Sequence, residues 1–203
     1  MARTLKKEIQ MRMRLAQEAA KIMIDSGIRD FAMAKRKAAD HLNAHDTRQL
    51  PTNLEIEQAM VEYQRLFRAR EQPQTLQKLR EVAYTAMQFF QDFNPRLVGP
   101  VLTGTADTNS AVTLHLFNDH VEAVNLLLLD KRIPFESRDK RYKIGADTYE
   151  QYPCFEFYAE QIKIEVVVFP ASKHYARPLS PIDGKPMQRA DMAALEILLH
   201  QAS

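Results

Sequence analysis

Two stretches of the chain carry residue types suited to chemistry. Between Leu97 and Phe117 two glycines, Gly99 and Gly104, precede a polar run and then an alternating segment. Glycine turns let backbone amides approach an anionic group with no Cβ in the way. In the alternating segment Ala111, Thr113 and His115 share one strand face, and Val112, Leu114 and Leu116 the other. The second stretch, Ile162 to Phe169, points Ile162, Ile164, Val166 and Val168 one way and Lys163, Glu165 and Val167 the other. Glu165 is therefore an acid on an otherwise apolar strand. A His115–Glu165 pair would hold a transition metal or act as acid and base. The structural alternatives are that His115 is a buried polar residue of the sheet and that Glu165 pairs with Lys143 or Arg141. Asp107 then reads as a turn residue and Asp119 as a helix cap. Two basic groups complete the inventory: Lys35-Arg36-Lys37 on a helix, and Arg138, Lys140, Arg141 and Lys143 in a hairpin.

The run from Leu97 to Phe117 resembles the signature of the DNA polymerase beta-type nucleotidyltransferase superfamily, including its bacterial members. In that signature an apolar residue precedes Gly-Ser, and some ten residues later a strand carries two carboxylates flanking one apolar residue. Here Gly99-Pro100 stands at the Gly-Ser position, and ten residues separate it from Ala111-Val112-Thr113. Gly104-Thr105 and Ser110 match a second glycine and the serine before the first acid. The resemblance implies two carboxylates at i and i+2, with a third from a neighbouring strand, clamping two magnesium ions for phosphoryl transfer. Glu165 matches the third acid. Ala111 and Thr113 fill the first two positions, where neither can replace a charged ligand, and Pro100 deletes one backbone donor. The expected fold is α+β, a nucleotidyltransferase-like mixed sheet with flanking helices after an N-terminal helical region. The expected function is a degenerate nucleotidyltransferase, a pseudoenzyme binding a nucleotide or an RNA end through Gly99, Gly104, Thr105, Ser110, Thr113 and Lys143. One alternative is an active transferase in which Glu165 and Asp107 or Asp119 hold magnesium. Another is a non-catalytic adaptor that meets nucleic acid or a protein partner through the N-terminal helices.

The elements that position these residues follow from periodicity. Leu5, Ile9, Met13, Ala16, Ala20 and Met23 recur at helical spacing, and Ser26-Gly27 ends that helix. A second helix is expected over 28–42, with Phe31, Ala38, Ala39 and Leu42 inward, followed by a polar loop over 44–51. Thr52-Asn53-Leu54-Glu55 reads as a capping box for a helix carrying Ile56, Ala59, Tyr63 and Leu66. Pro73 reads as a break before a fourth helix through Leu76, Leu79, Ala83, Ala86 and Phe90. Beyond Arg96 the texture turns to strands, expected over 111–116, 133–137, 140–144, 154–158 and 162–169. Helices are expected over 119–130 and from Asp191 onward. The boundary between the helical region and the α+β domain is placed after residue 72.

Composition bounds the rest. With 203 residues, 45% of them apolar, the chain can bury a core without crosslinks. A lone cysteine, Cys154, excludes an internal disulfide and a cysteine-rich zinc site. Residues 1–72 hold 14 basic and 10 acidic residues against 14 and 16 thereafter, a bias too mild for a nucleic-acid-binding tail. No apolar run spans a bilayer or forms a signal peptide, so a cytoplasmic protein is expected. P-loop, Gly-x-Gly-x-x-Gly and His-Glu-x-x-His motifs are absent.

Overall fold

The computed structural model describes residues 2–44 and 50–201. The chain divides into two compact units, Met1–Gln72 with Pro181–Asp183, and Pro73–Ser180 with Gly184–Ser203. No helix of the described residues is long and apolar enough to cross a membrane.

The first unit is built on three helices, α1 (Ala2–Ser26), α2 (Phe31–His41) and α3 (Asn53–Phe67). Asp30 starts α2 by accepting from the Ala32 and Met33 amides, three residues after the expected start at 28. The capping box forms as read: Thr52 Oγ1 accepts from the Glu55 amide, and Glu55 accepts from the Thr52 amide at 2.7 Å. Leu15, Ala16, Ala19, Ala20, Met23, Ala34, Ala38, Ile56 and Met60 form the core. Ile9 and Met13, expected inward, are exposed, and so is Leu66; the side chain of Leu5 lies outside the described residues, as do 45–49 of the polar loop. The ion pairs explain the exposed start of α1. Arg12 meets Glu55 in the first turn of α3, and Asp25 meets Arg68 just past its end. Helix α3 thus runs parallel to α1 and begins level with Arg12, while α2 returns only as far as the His41–Glu18 pair. Residues 6–10 of α1 lie before the Arg12–Glu55 pair and are exposed.

The second unit is a five-stranded mixed sheet with helices packed on one face. Its strands are β1 (Arg96–Val98), β2 (Val112–Phe117), β3 (Glu136–Lys143), β4 (Tyr149–Ala159) and β5 (Ile162–Phe169), in the order β1-β2-β5-β4-β3. Strands β2 and β5 are parallel, and every other neighbouring pair is antiparallel. The two short strands expected over 133–137 and 140–144 are one strand. Helix α4 (Glu71–Phe89) begins two residues before Pro73. Proline is tolerated in a first turn, whose amides have no helical acceptor, so Pro73 opens the helix it was expected to precede. Helices α4, α6 (Val121–Asp130) and α7 (Met192–His200) cover Val112, Leu114, Leu116, Ile164, Val166 and Val168 through Leu79, Ala83, Met87, Phe90, Val124, Leu128 and Leu195. The one-turn helix α5 (Pro100–Thr103) follows β1. Residues Glu160 and Gln161 join β4 to β5 with φ of 49° and 69°, the left-handed pair that a tight hairpin between twisted strands requires.

Candidate functional site

Strand pairing settles which side chains share the face of the sheet that α4, α6 and α7 leave uncovered. Thr113 pairs with Glu165, and Glu165 with Glu156; His115 pairs with Val167, Val167 with Cys154, and Cys154 with Arg138. Side chains alternate along a strand, so Thr113, His115, Glu165, Glu156, Cys154, Arg138, Lys140 and Tyr142 stand together. Thr113 and Glu165, singled out from sequence, are direct neighbours across a parallel pair, and Ala111 precedes Thr113 on that side.

At this end of the face the charges form one network. Glu165 is bonded by Lys140 Nζ and lies 3.4 Å from Arg138 Nη2 and 3.5 Å from Lys163 Nζ. Glu156 is bonded by Arg138 and by Lys163 at 2.7 Å. Burial works against ionising Glu165, but Lys140, Lys163 and Arg138 together hold its pKa below the usual carboxylate value. The basic hairpin does supply the partner of Glu165, from the even positions of β3. Lys143 and Arg141 fall on the other face, where Arg141 lies 4.0 Å from the ring centre of Tyr149.

The loop from Gly99 to Ser110 is closed by its own hydrogen bonds. Gly99 has φ 75° and ψ −158° and carries open space where a Cβ would stand. The Pro100 carbonyl accepts from the amides of Gly104, Thr105 and Ala106 at 2.9, 3.0 and 3.2 Å. Thr105 Oγ1 lies 3.2 Å from Thr103 Oγ1. Asp107 is buried; its Oδ1 accepts from the Asn109 amide and the Ser110 hydroxyl, while Ser110 Oγ accepts from the Asp107 amide. Asp107 and Ser110 thus brace a turn. Of the glycine-loop residues named from sequence, Gly99 is the one whose backbone borders open space.

Further along, the face is aromatic. Phe117, Tyr142, Tyr152, Cys154, Val167 and Phe169 are buried together, with Met187 against them. His115 is fully buried; its Nδ1 accepts from Arg189 Nε at 3.1 Å and its Nε2 lies 3.1 Å from the Tyr142 hydroxyl. Desolvation, then Arg189, then Lys140 push its pKa well below the ordinary value, so it is neutral and carries its proton on Nε2. His115 therefore bonds Tyr142 and Arg189 rather than Glu165. Asp119 does not cap α6, whose N-cap is His120; it accepts from the Ala171 amide at 3.0 Å instead.

This arrangement does not fit a magnesium ion. Glu165 is the one carboxylate among the three signature positions, and three cationic side chains surround it. Among the described residues no group of three or more His, Cys, Asp or Glu could hold a metal. The bonded network sets three cations against two carboxylates, with Glu136 across from Glu156 at its exposed edge, so each acid is already held by cations rather than left to ligate one. Sequence reading missed Glu156 and Arg189, and it paired Glu165 with Lys143 or Arg141, where the structure pairs it with Arg138 and Lys140. The alternation of Arg138, Lys140 and Tyr142 was the available signal, and Arg189 offered none. No known family model matches the chain, and no characterised protein is similar to it by sequence.

Proposed function

We propose that the second unit is a nucleotidyltransferase-like domain in which side-chain cations stand where the superfamily it resembles holds metal ions. It binds the phosphates of a nucleotide or an RNA end without metal and without nucleotidyl transfer. The observation that carries this reading is Glu165 set beside Thr113 in a parallel pair, with Lys140, Arg138 and Lys163 converging on it. The order of strand, glycine turn, strand, helix and acid-bearing strand supports it. Calorimetry with the four nucleoside triphosphates tests it. Binding should be the same with magnesium or with EDTA, and Arg138→Gln and Lys140→Ala should each weaken it by roughly tenfold, the worth of one charge-assisted bond. No binding by any of the four at millimolar concentration, or magnesium-dependent transfer to any acceptor, overturns it.

A second reading, an adaptor acting through the N-terminal helices, draws on a cavity of about 680 Å³ in the first unit. Arg29, Lys35 and Arg36 line it together with Asp30 and Asp40, and desolvation lowers the Lys35 pKa. Neutralising Lys35, Arg36 and Lys37 together should abolish salt-sensitive binding of an acidic partner, and binding that survives the change removes this reading.

A further inference from the structure

Past the aromatic cluster, basic side chains gather without acids to balance them. Arg189 lies against the rings of Phe117 and Phe169, its Cζ 4.8 and 5.2 Å from their centres. Its Nε donates to His115 and its Nη1 to the His174 carbonyl at 2.9 Å, while Nη2 is buried with no acceptor. Arg96 Nη2 lies 3.1 Å from His174 Nε2. Since arginine has no acceptor, His174 accepts there and keeps its proton on Nδ1. Desolvation, then Arg177 and Arg96, lower the Arg189 pKa to about 10. Among the described residues Arg96, Arg177 and Arg189 make no ion pair. The nearby acids are already engaged, Glu150 by Lys173 and Tyr152 and Asp119 by the Ala171 amide.

A buried guanidinium nitrogen with no acceptor is costly, and guanidinium groups beside an imidazole match a doubly charged oxyanion better than a single carboxylate. We propose that Arg96, Arg177 and Arg189, grouped about His174, form a phosphate-binding site at the C-terminal ends of β2 and β5. Arg189 is the fixed charge, oriented by His115 and two aromatic rings. Arg96, exposed Arg177 and the His174 Nδ1–H are the groups that reach the ligand. The site extends from His115 to Phe117 and Phe169, two to four residues beyond Thr113 and Glu165, a separation of about 7–13 Å, and does not depend on the nucleotide reading of that other end. Its phosphate is either free or the terminus of a monoester.

NMR titration of the full chain with inorganic phosphate and, separately, phenyl phosphate tests this. The Arg189 Nε–H and His174 ring signals should shift saturably with a dissociation constant on the order of 1 mM, and the His174 pKa should rise as the anion binds. Tighter binding of inorganic phosphate identifies a free-anion site, and tighter binding of phenyl phosphate a monoester site. Arg177→Ala and Arg96→Gln should weaken both ligands by roughly tenfold, and Lys21→Ala, on the exposed side of α1, should leave them unchanged. Absence of saturable shifts with either ligand at about 20 mM, or undiminished affinity in Arg177→Ala, overturns the site. Sensitivity to Lys140→Ala without sensitivity to Arg177→Ala also overturns it, by placing the phosphate at the Glu165 network.

Discussion

The two polar residues buried on the open sheet face titrate in ways that bear on stability. His115 has its folded pKa pushed below the unfolded value, so the unfolded chain takes up a proton the native protein refuses. Its contribution is complete above the unfolded pKa and is lost as pH falls below it. We expect stability to decline below about pH 6.5 with a slope approaching 1.4 kcal/mol per pH unit. Urea denaturation between pH 7 and 5 should show that slope, and His115→Gln should flatten it. Glu165 follows the same sign at lower pH, since its folded pKa is held below its unfolded one and its stabilisation disappears as it protonates. Lys140→Ala removes the leading favourable contact of a buried carboxylate. It should cost about 1.5–3 kcal/mol and move acid unfolding to higher pH, read by circular dichroism. An unchanged acid midpoint would mean that Arg138 and Lys163 suffice.

At the level of elements, the firmest local rules concern helix starts and turns. Glu55 both closes the capping box of α3 and receives Arg12 through two nitrogens at 2.8 to 3.0 Å. Its hydrogen bonds with Arg12 bring its pKa down to about 2. The stabilisation it gives is therefore present above about pH 4.3 and lost as pH approaches 2. Glu55→Ala should cost about 1 kcal/mol from the cap alone, measured by urea denaturation. The β4–β5 turn offers the opposite change. Gln161 holds φ of 69°, a region that strains a residue with a Cβ. Gln161→Gly should stabilise the second unit by about 0.5–1 kcal/mol, visible as a higher melting temperature. The capping box was legible in four consecutive residues. The hairpin was not, because Glu-Gln has none of the turn chemistry that marks such a reversal.

For the molecule as a whole, Cys154 is a probe of how the sheet opens. It is fully buried at the middle of the open face, and desolvation raises its pKa to about 11. A thiol in that state is inert until the strand pair is exposed. Labelling with a disulfide reagent under native conditions should therefore proceed only through unfolding of the second unit, and its rate should rise with urea in step with the loss of that unit's circular dichroism. Labelling that is fast and independent of urea would show a face open to solvent around Cys154. Helical periodicity continues through α4 and gives way to alternation only beyond Arg96, whereas the chain passes from the first compact unit to the second at Pro73, inside the first turn of α4. The return of Pro181–Asp183 to the first unit was not legible, since nothing local distinguishes those three residues from the turn they occupy.

The sequence by itself determined the α+β class, the longer helices, and the faces of β2 and β5, because burial with a period of 2 or 3.6 is written into neighbouring residues. It also determined that Ala111 has no group to ligate a metal and that the neutral Thr113 hydroxyl is a poor substitute for a carboxylate, a matter of side-chain chemistry alone. Only the tertiary structure decided what those faces meet. Glu165 is saturated by Lys140, Arg138 and Lys163, His115 is locked between Tyr142 and Arg189, and Arg189 itself stands among cations. The pairings of Glu165 with Lys140 and Arg138, and of His115 with Tyr142 and Arg189, join strands or loops 25 to 74 residues apart. Register and loop closure set such distances, and no local pattern encodes them.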